Sequence, residues 1–430
     1  MRPTDGRAPT SRSTEAGRNP GVTALRALTF TYDVPRYLIT GAVARKWPGV
    51  LFTRIAPVQL CDIPEPELPG AEWVKIRPRV SGLCGSDMSI IACRESLTMQ
   101  PFASYPFVLG HEVCGEIVEK GTGVSGFDEG DRVTVMPMLG CATRGIDPPC
   151  RFCAAGMPQV CENFTEGALE PGTIVGATSG VPGYIGEIGV AHLSQLHRVP
   201  DSVSDEAACM TDPFSSGLHM ALQNPIEPGE TLMVIGCGVM GLCTVAALKA
   251  IHPDTRLIAV EVDPFHSLMA RQFGADEVVS PPFDKRFYRL VADMTGAKMY
   301  TPLLAKPLLI GGVDRVFDTV GSTETIDVSL RTLRNTGWFN LLGIGEPRRI
   351  DWTPVWFKEL TIRGVYGYQD EIVEGSKEHC FDLALRLHDT GKVDLAPLVT
   401  HEFTLEDWRR ALEVAFDKGR YHAVKVAFRP

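Results

Sequence analysis

Residues 73–80 alternate apolar and charged side chains, which predicts a half-buried strand. Further strands are expected over residues 108–118 and 132–136, with a turn-rich connection over 121–130. Upstream, short strand-like runs over residues 38–63 stop at the proline-rich stretch 64–70. The front of the chain therefore reads as a small β-rich barrel. Near residue 232 the pattern changes. Leu232-Met233-Val234-Ile235 is a short continuous apolar run, the mark of a parallel strand buried on both faces. A helical pattern follows over 242–251, then a second apolar run over 256–261. The alternation continues with helices over 267–273, 287–294 and 325–333, and strands over 277–280, 313–321 and 338–343. It predicts a doubly wound parallel sheet. Residues 299–312 interrupt it and read as an inserted surface loop with a short helix. Beyond residue 345 come helices over 376–390 and 405–418 and a closing strand over 421–428.

A chain of 430 residues has room for two or three domains. With 44% apolar and 22% charged residues it has the balance of ordinary globular material. A net charge of −10 argues against nucleic acid or an anionic membrane as partner. No apolar run is long enough to span a bilayer. Twelve cysteines, several of them clustered, point to metal in a reducing, cytoplasmic compartment. The first residues are rich in Arg, Ser, Thr, Pro and Gly without apolar periodicity. The span 1–37 is expected to be a disordered extension. Asp5 and Glu15 weaken a transit-peptide reading, and no apolar segment supports secretion.

The chemistry centres on Gly110-His111-Glu112. Neighbours on a strand point to opposite faces, so His111 and Glu112 reach one metal only if the backbone bends there. Gly110 and Gly115 permit such a bend. With Cys84 upstream and Asp212 at a helix start downstream, the set offers sulfur, nitrogen and oxygen donors that suit zinc. Plain packing is the competing reading, with Cys84 a small buried hydrophobe and His111 a satisfied core residue. Cys141, Cys150, Cys153 and Cys161 fall within about twenty residues and match a closed structural zinc site. Residues 142–149 lengthen the gap between the first two sulfurs, and Asp147 is the alternative to Cys141 as fourth ligand.

Gly236, Gly238 and Gly241 follow the first apolar strand directly, and Val239 and Met240 open the next helix. Glu261 ends the second strand about twenty residues later. In that setting the glycines bring a pyrophosphate against the helix N-terminus, and the acid accepts the ribose hydroxyls of NAD. No arginine follows Glu261 directly to welcome NADP. Val320 and Gly343, at later strand ends, are expected to face the same cofactor.

These motifs, with Lys358-Glu359-Leu360-Thr361-Ile362-Arg363-Gly364, make residues 38–430 resemble the zinc-dependent medium-chain dehydrogenase/reductase family. The acid before Pro213 is similar to the polyol, threonine and glucose dehydrogenase branch, whereas alcohol dehydrogenases proper carry a cysteine there. The resemblance implies an α/β protein. A GroES-like β-barrel catalytic domain (38–212 and 366–430) would hold an inserted Rossmann NAD-binding domain (213–365). It implies zinc held by Cys84, His111 and either Glu112 or Asp212. Asp87 would hold His111, and Ser86 would carry the proton of a secondary alcohol whose hydride passes to the nicotinamide. Ser89 stands where relatives often place a relay histidine. Met88, Met99, Phe102, Met138 and Phe214 fall near the implied cleft, as an apolar pocket or as core. The assembly implied is a homodimer or homotetramer. Two other readings are a zinc-free quinone or enoyl reductase on the same scaffold and a non-enzymatic NAD- or zinc-sensing protein. The retained ligand candidates argue against the first.

Overall fold

The computed structural model describes residues 24–94, 97–345 and 347–430. Strand β1 (Ala24–Phe30) is followed by helix α1 (Val34–Ala44) and by β2 (Val58–Pro64). β2 runs antiparallel along all of β1, from Pro64 opposite Ala24 to Val58 opposite Phe30. Two expectations are corrected here. Residues 24–37 do not belong to a disordered extension, because Leu28 and Phe30 give β1 a buried apolar face and Ala27 is buried on the other, against Gly186. Residues 38–63 are not a series of strands. Asp33 caps α1 by accepting from the Arg36 N–H, and Pro35 suits the first helical turn. Residues 1–23, the rest of that extension, lie outside the described residues.

The chain continues through β3 (Trp73–Gly82), α2 (Gly85–Ile91), β4 (Phe107–Val108), β5 (Glu112–Lys120), β6 (Arg132–Val135) and the one-turn α3 (Arg151–Ala154). Next come β7 (Gly189–His192), β8 (Leu196–Arg198), α4 (Asp205–Cys209) and α5 (Thr211–Leu222). Strand and helix then alternate through β9 (Thr231–Ile235), α6 (Val239–Ile251), β10 (Arg256–Val260), α7 (Pro264–Gln272), β11 (Glu277–Val279) and α8 (Lys285–Thr295). Strands β12 (Lys298–Tyr300) and β13 (Leu308–Ile310) pair antiparallel, so residues 299–312 hold a hairpin and not a helix. β14 (Val313–Asp318), α9 (Thr323–Thr332), β15 (Leu333–Leu341), α10 (Thr353–Phe357) and β16 (Thr361–Gly364) follow.

One parallel sheet has the order β11-β10-β9-β14-β15-β16. This is the Rossmann order, with its reversal between β9 and β14, where such sheets bind ligands. Its strands are buried on both faces. Leu232, Val234, Leu257 and Ala259 face one core, while Met233, Ile235, Ile258 and Val260 face another. That is why these strands read as continuous apolar runs. Burying each of these Leu, Ile, Val and Met side chains is worth about 1.5–3 kcal/mol.

The chain closes with β17 (Asp370–Val373), β18 (Ser376–His379), α11 (Cys380–Asp389), β19 (Val399–Phe403), α12 (Trp408–Phe416), α13 (Lys418–Tyr421) and β20 (Lys425–Phe428). Residues 376–379, expected to begin a helix, pair with β17 instead, and His379 caps the helix that follows. β20 returns to β3, giving a second sheet in the order β19-β20-β3-β5-β6-β8, with β7 also on β3. The end of the chain is thereby brought against β3, which leads into Cys84 and carries on its other edge β5, which begins at Glu112.

Candidate metal centre and cofactor cleft

Cys84 is the N-cap of α2, just after β3. Its N–H donates to Asp87 Oδ2 at 2.9 Å, closing the first turn. Asp87 is buried, and its Oδ1 lies 3.7 Å from His111 Nδ1, a charge contact longer than a hydrogen bond. Ser86 is half-buried in the first turn of α2. Ser89 is exposed, and its hydroxyl donates to the Gly85 carbonyl.

His111 and Glu112 are presented by a bend. Gly110 has φ +96°, which glycine adopts without strain, and a Cβ there would lie 2.6 Å from Ile185 Cγ1. Gly115 does not make the bend. A Cβ on it would meet Ile76 Cγ2 at 2.5 Å, so its absence lets β5 press against β3.

Cys84, His111 and Glu112 each offer a donor atom, all within 4.8 Å of one another. Glu112 is fully buried. Lys425 Nζ donates to its Oε2 at 2.5 Å, while its Oε1 has no hydrogen-bond partner. His111 Nδ1 lacks one too. Burial opposes a charged His111, but Asp87 and Cys84 raise its pKa well above the ordinary value. Asp212, in the first turn of α5, lies outside that tight group of three. The Tyr368 hydroxyl donates to its Oδ1 at 2.5 Å. Burial pushes the Asp212 pKa up to about 6, with His111 pulling it down and Glu112 adding to the rise. Sulfur, imidazole and carboxylate donors converge here, with buried donor atoms that nothing in the protein satisfies. Such a set fits zinc.

Lys425 and Tyr368 were not among the sequence candidates. A lysine inside an apolar closing strand was a signal for the first; nothing in the sequence singles out the second.

Cys141, Cys150, Cys153 and Cys161 bring their sulfurs within 4.8 Å of one another. Cys150 caps α3, and backbone N–H groups point at the sulfurs: Cys150 N to Cys141 Sγ at 3.3 Å, Cys153 N to Cys150 Sγ at 3.4 Å, Asn163 N to Cys161 Sγ at 3.3 Å. All twelve cysteines are free thiols. Four sulfurs with N–H donors around them fit a closed zinc site. Asp147 is exposed and outside the group. The extra residues 142–149 are anchored by Arg144, a buried side chain whose guanidinium donates to the carbonyls of Glu166, Leu169, Glu170 and Gly172.

In the parallel sheet, Gly236 has φ +84°, and a Cβ on Gly241 would stand 1.7 Å from the Gly236 carbonyl oxygen. Gly238, the N-cap of α6, faces open space, with nothing within 4 Å of its would-be Cβ. Val239 and Met240 are half-buried beside it, Val320 is 41% exposed, and a Cβ on Gly343 would strike the Val320 backbone at 2.3 Å. Glu261 turns toward the glycine loop. Its carboxylate accepts from the N–H groups of Cys237 at 2.6 Å, Val262 at 2.7 Å and Asp263 at 2.9 Å.

Of the apolar pocket candidates, Phe214 and Met138 are buried in core clusters and Met88 packs on one. Phe102 stands edge-on to Phe164 at 5.8 Å, and Met99 is 37% exposed. A third group, His219, Glu371 and Cys380, is closed on itself. His219 Nδ1 and Gln223 Nε2 each lie 2.6 Å from a Glu371 oxygen.

An alcohol dehydrogenase GroES-like domain matches residues 70–201, and a zinc-binding dehydrogenase domain matches residues 239–382. The L-threonine 3-dehydrogenase of Alteromonas mediterranea is 30% identical over 371 residues, covering 86% of this chain and 95% of its own length. That of Salmonella arizonae is 28% identical over 358 residues, covering 83% and 92%. The 2R,3R-butanediol dehydrogenase of Bacillus subtilis superposes with a TM-score of 0.71 at 23% identity, over 95% of this chain and all of its own.

Proposed function

The chain belongs to the zinc-dependent medium-chain alcohol dehydrogenase family, and on that premise we propose how its residues divide the work of oxidising a secondary alcohol, or reducing its ketone. The protein is a zinc-dependent oxidoreductase that moves a hydride between an alcohol and a nicotinamide cofactor. Cys84 and His111 hold the catalytic zinc, with Glu112 and Asp212 as the carboxylates that complete its surroundings. Zinc supplies Lewis acidity there, which makes an alcohol proton easier to remove. Ser86 would accept that proton, and a nicotinamide held along the glycine loop would supply the hydride acceptor. Cys141, Cys150, Cys153 and Cys161 hold a second, structural zinc. Gly236, Gly238, Val239, Met240, Gly241, Val320 and Gly343 line the cofactor's path. Glu261 favours NAD, because its charge repels a 2′-phosphate. The division at residues 212 and 365 into catalytic and cofactor-binding parts belongs to the same reading.

The observation that carries the proposal is the meeting of Cys84, His111 and Glu112 within 4.8 Å, with an unsatisfied buried atom on His111 and another on Glu112. A zinc-free reductase has no use for that arrangement. The threonine dehydrogenase relatives favour a small, polar secondary alcohol. No helix among the described residues is long and apolar enough to cross a membrane, and a four-cysteine zinc site favours a reducing compartment such as the cytoplasm. The test is a panel of secondary alcohols and ketones, including L-threonine and 2,3-butanediol, assayed with NAD and with NADP. Turnover with NAD on at least one alcohol is expected. Cofactor binding without turnover across the panel would favour the sensing protein instead.

A further inference from the structure

We infer that Tyr368 is a positioning residue for the catalytic zinc, acting through Asp212. The inference rests on the reading of Asp212 as a zinc-site carboxylate. Its starting point is a pattern. Each nitrogen or oxygen ligand candidate has a buried partner from another segment: Asp87 lies beside His111, Lys425 holds Glu112, and Tyr368 holds Asp212. Such outer partners orient metal ligands. Asp87 and Lys425 bring charges. Tyr368 brings only an O–H, so it can fix one Asp212 oxygen without competing for the metal or cancelling the carboxylate's charge.

The phenol is well placed to do this because its surroundings hold it. Its ring is fully buried, with edge contacts to Phe381 at 4.8 Å and His379 at 6.1 Å between ring centroids. The backbone beside it is pinned from the four-cysteine side. Gln159 Nε2 donates to Gln369 Oε1 at 3.3 Å, and the Asp370 N–H donates to the Gly156 carbonyl at 3.3 Å. Gly367 has φ +63°, and a Cβ on it would meet Met138 Cε at 2.8 Å and Gln159 Cβ at 3.0 Å. Asp212 itself sits in the first turn of α5, a helix otherwise buried along its length. A carboxylate there has one backbone position and several rotamers, and the Tyr368 hydrogen bond selects among them.

The experiment measures zinc affinity at the Cys84 site by competition with a chelator, on full-length protein. The zinc that is lost in Cys84→Ser defines that site. Tyr368→Phe keeps the ring and removes only the donor. It should weaken this zinc about 10–100-fold, the usual scale for losing an outer partner. Asp212→Asn should weaken it as well, and Tyr368→Phe should add little in the Asp212→Asn background, since the two act through one contact. Cobalt placed at the Cys84 site reports ligand geometry by its visible absorption, and its bands should shift in Tyr368→Phe. Unchanged zinc affinity in Tyr368→Phe, with Asp212→Asn weakened, would overturn the inference and leave the Asp212 reading standing. Unchanged affinity in Asp212→Asn would overturn both. A melting temperature lowered by more than about 10 °C in Tyr368→Phe would also overturn it, because the phenol would then be a structural group of the whole fold.

Discussion

At the scale of single residues, Glu112 shows how a buried charge can be held for a metal. Lys425 covers one of its oxygens and leaves the other unsatisfied. Lys425→Met should therefore destabilise the metal-free protein by about 3–5 kcal/mol, the cost of stranding a buried charge, and the zinc-loaded protein by less. Denaturant unfolding with and without zinc measures the difference; equal losses in both would contradict the assignment of Glu112 to the zinc site. Glu261 ties the glycine loop to the end of β10, and the proposed reading gives it a second task, disfavouring a 2′-phosphate. Glu261→Ser should relax discrimination against NADP by about 1–3 kcal/mol, read as the ratio of kcat/KM for the two cofactors. A wild type that already prefers NADP would contradict the role given to Glu261. The ligand candidates were legible because cysteine, histidine and acid beside glycine are informative on their own. Lys425 stands out as a lysine in an apolar strand, but its pairing with Glu112 was not legible, because the two lie 313 positions apart and a strand pattern says nothing of what a distant strand brings. Tyr368 was hidden for the same reason.

Among the elements, those of the alternating parallel sheet were readable, and several that depend on distant partners were not. The parallel strands were plain because both faces are buried. β1 and α1 were missed: the burial of Ala27, Leu28 and Phe30 comes from pairing with β2 and β4, which no local pattern announces. The hairpin of β12 and β13 was mistaken for a loop with a helix, since each strand has only three residues. The longer spacing between Cys141 and Cys150 looked like a threat to the metal lobe. Instead, Arg144 within it binds carbonyls 22 to 28 residues further on. Arg144→Met should cost at least about 3 kcal/mol, because several buried carbonyls lose their donor together. A thermal melt checks this, and an unchanged midpoint would mean that the lobe stands without its guanidinium.

For the whole molecule, the candidate metal centre gathers residues far apart in the chain, and the closing strand β20 brings Lys425 against Glu112. The parallel sheet also ends at an exposed edge. Ile362 on β16 is 41% exposed, and Leu303 and Leu304, between β12 and β13, are each 96% exposed. The homodimer or homotetramer that the resemblance implies would have these exposed apolar side chains available for its contact. Ile362→Lys should shift the assembly toward a smaller species in sedimentation velocity; an unchanged assembly would move the interface elsewhere. On the proposed reading, one zinc works at Cys84 and His111 while a second braces the four-cysteine lobe. Counting zinc per chain in purified wild type and in Cys84→Ser, with turnover measured on the same samples, tests it most directly. Two zincs in the wild type, and one in a folded Cys84→Ser that no longer turns over, are the predicted result. A wild type holding one zinc or none, or a Cys84→Ser that keeps both its zinc and its turnover, would contradict it.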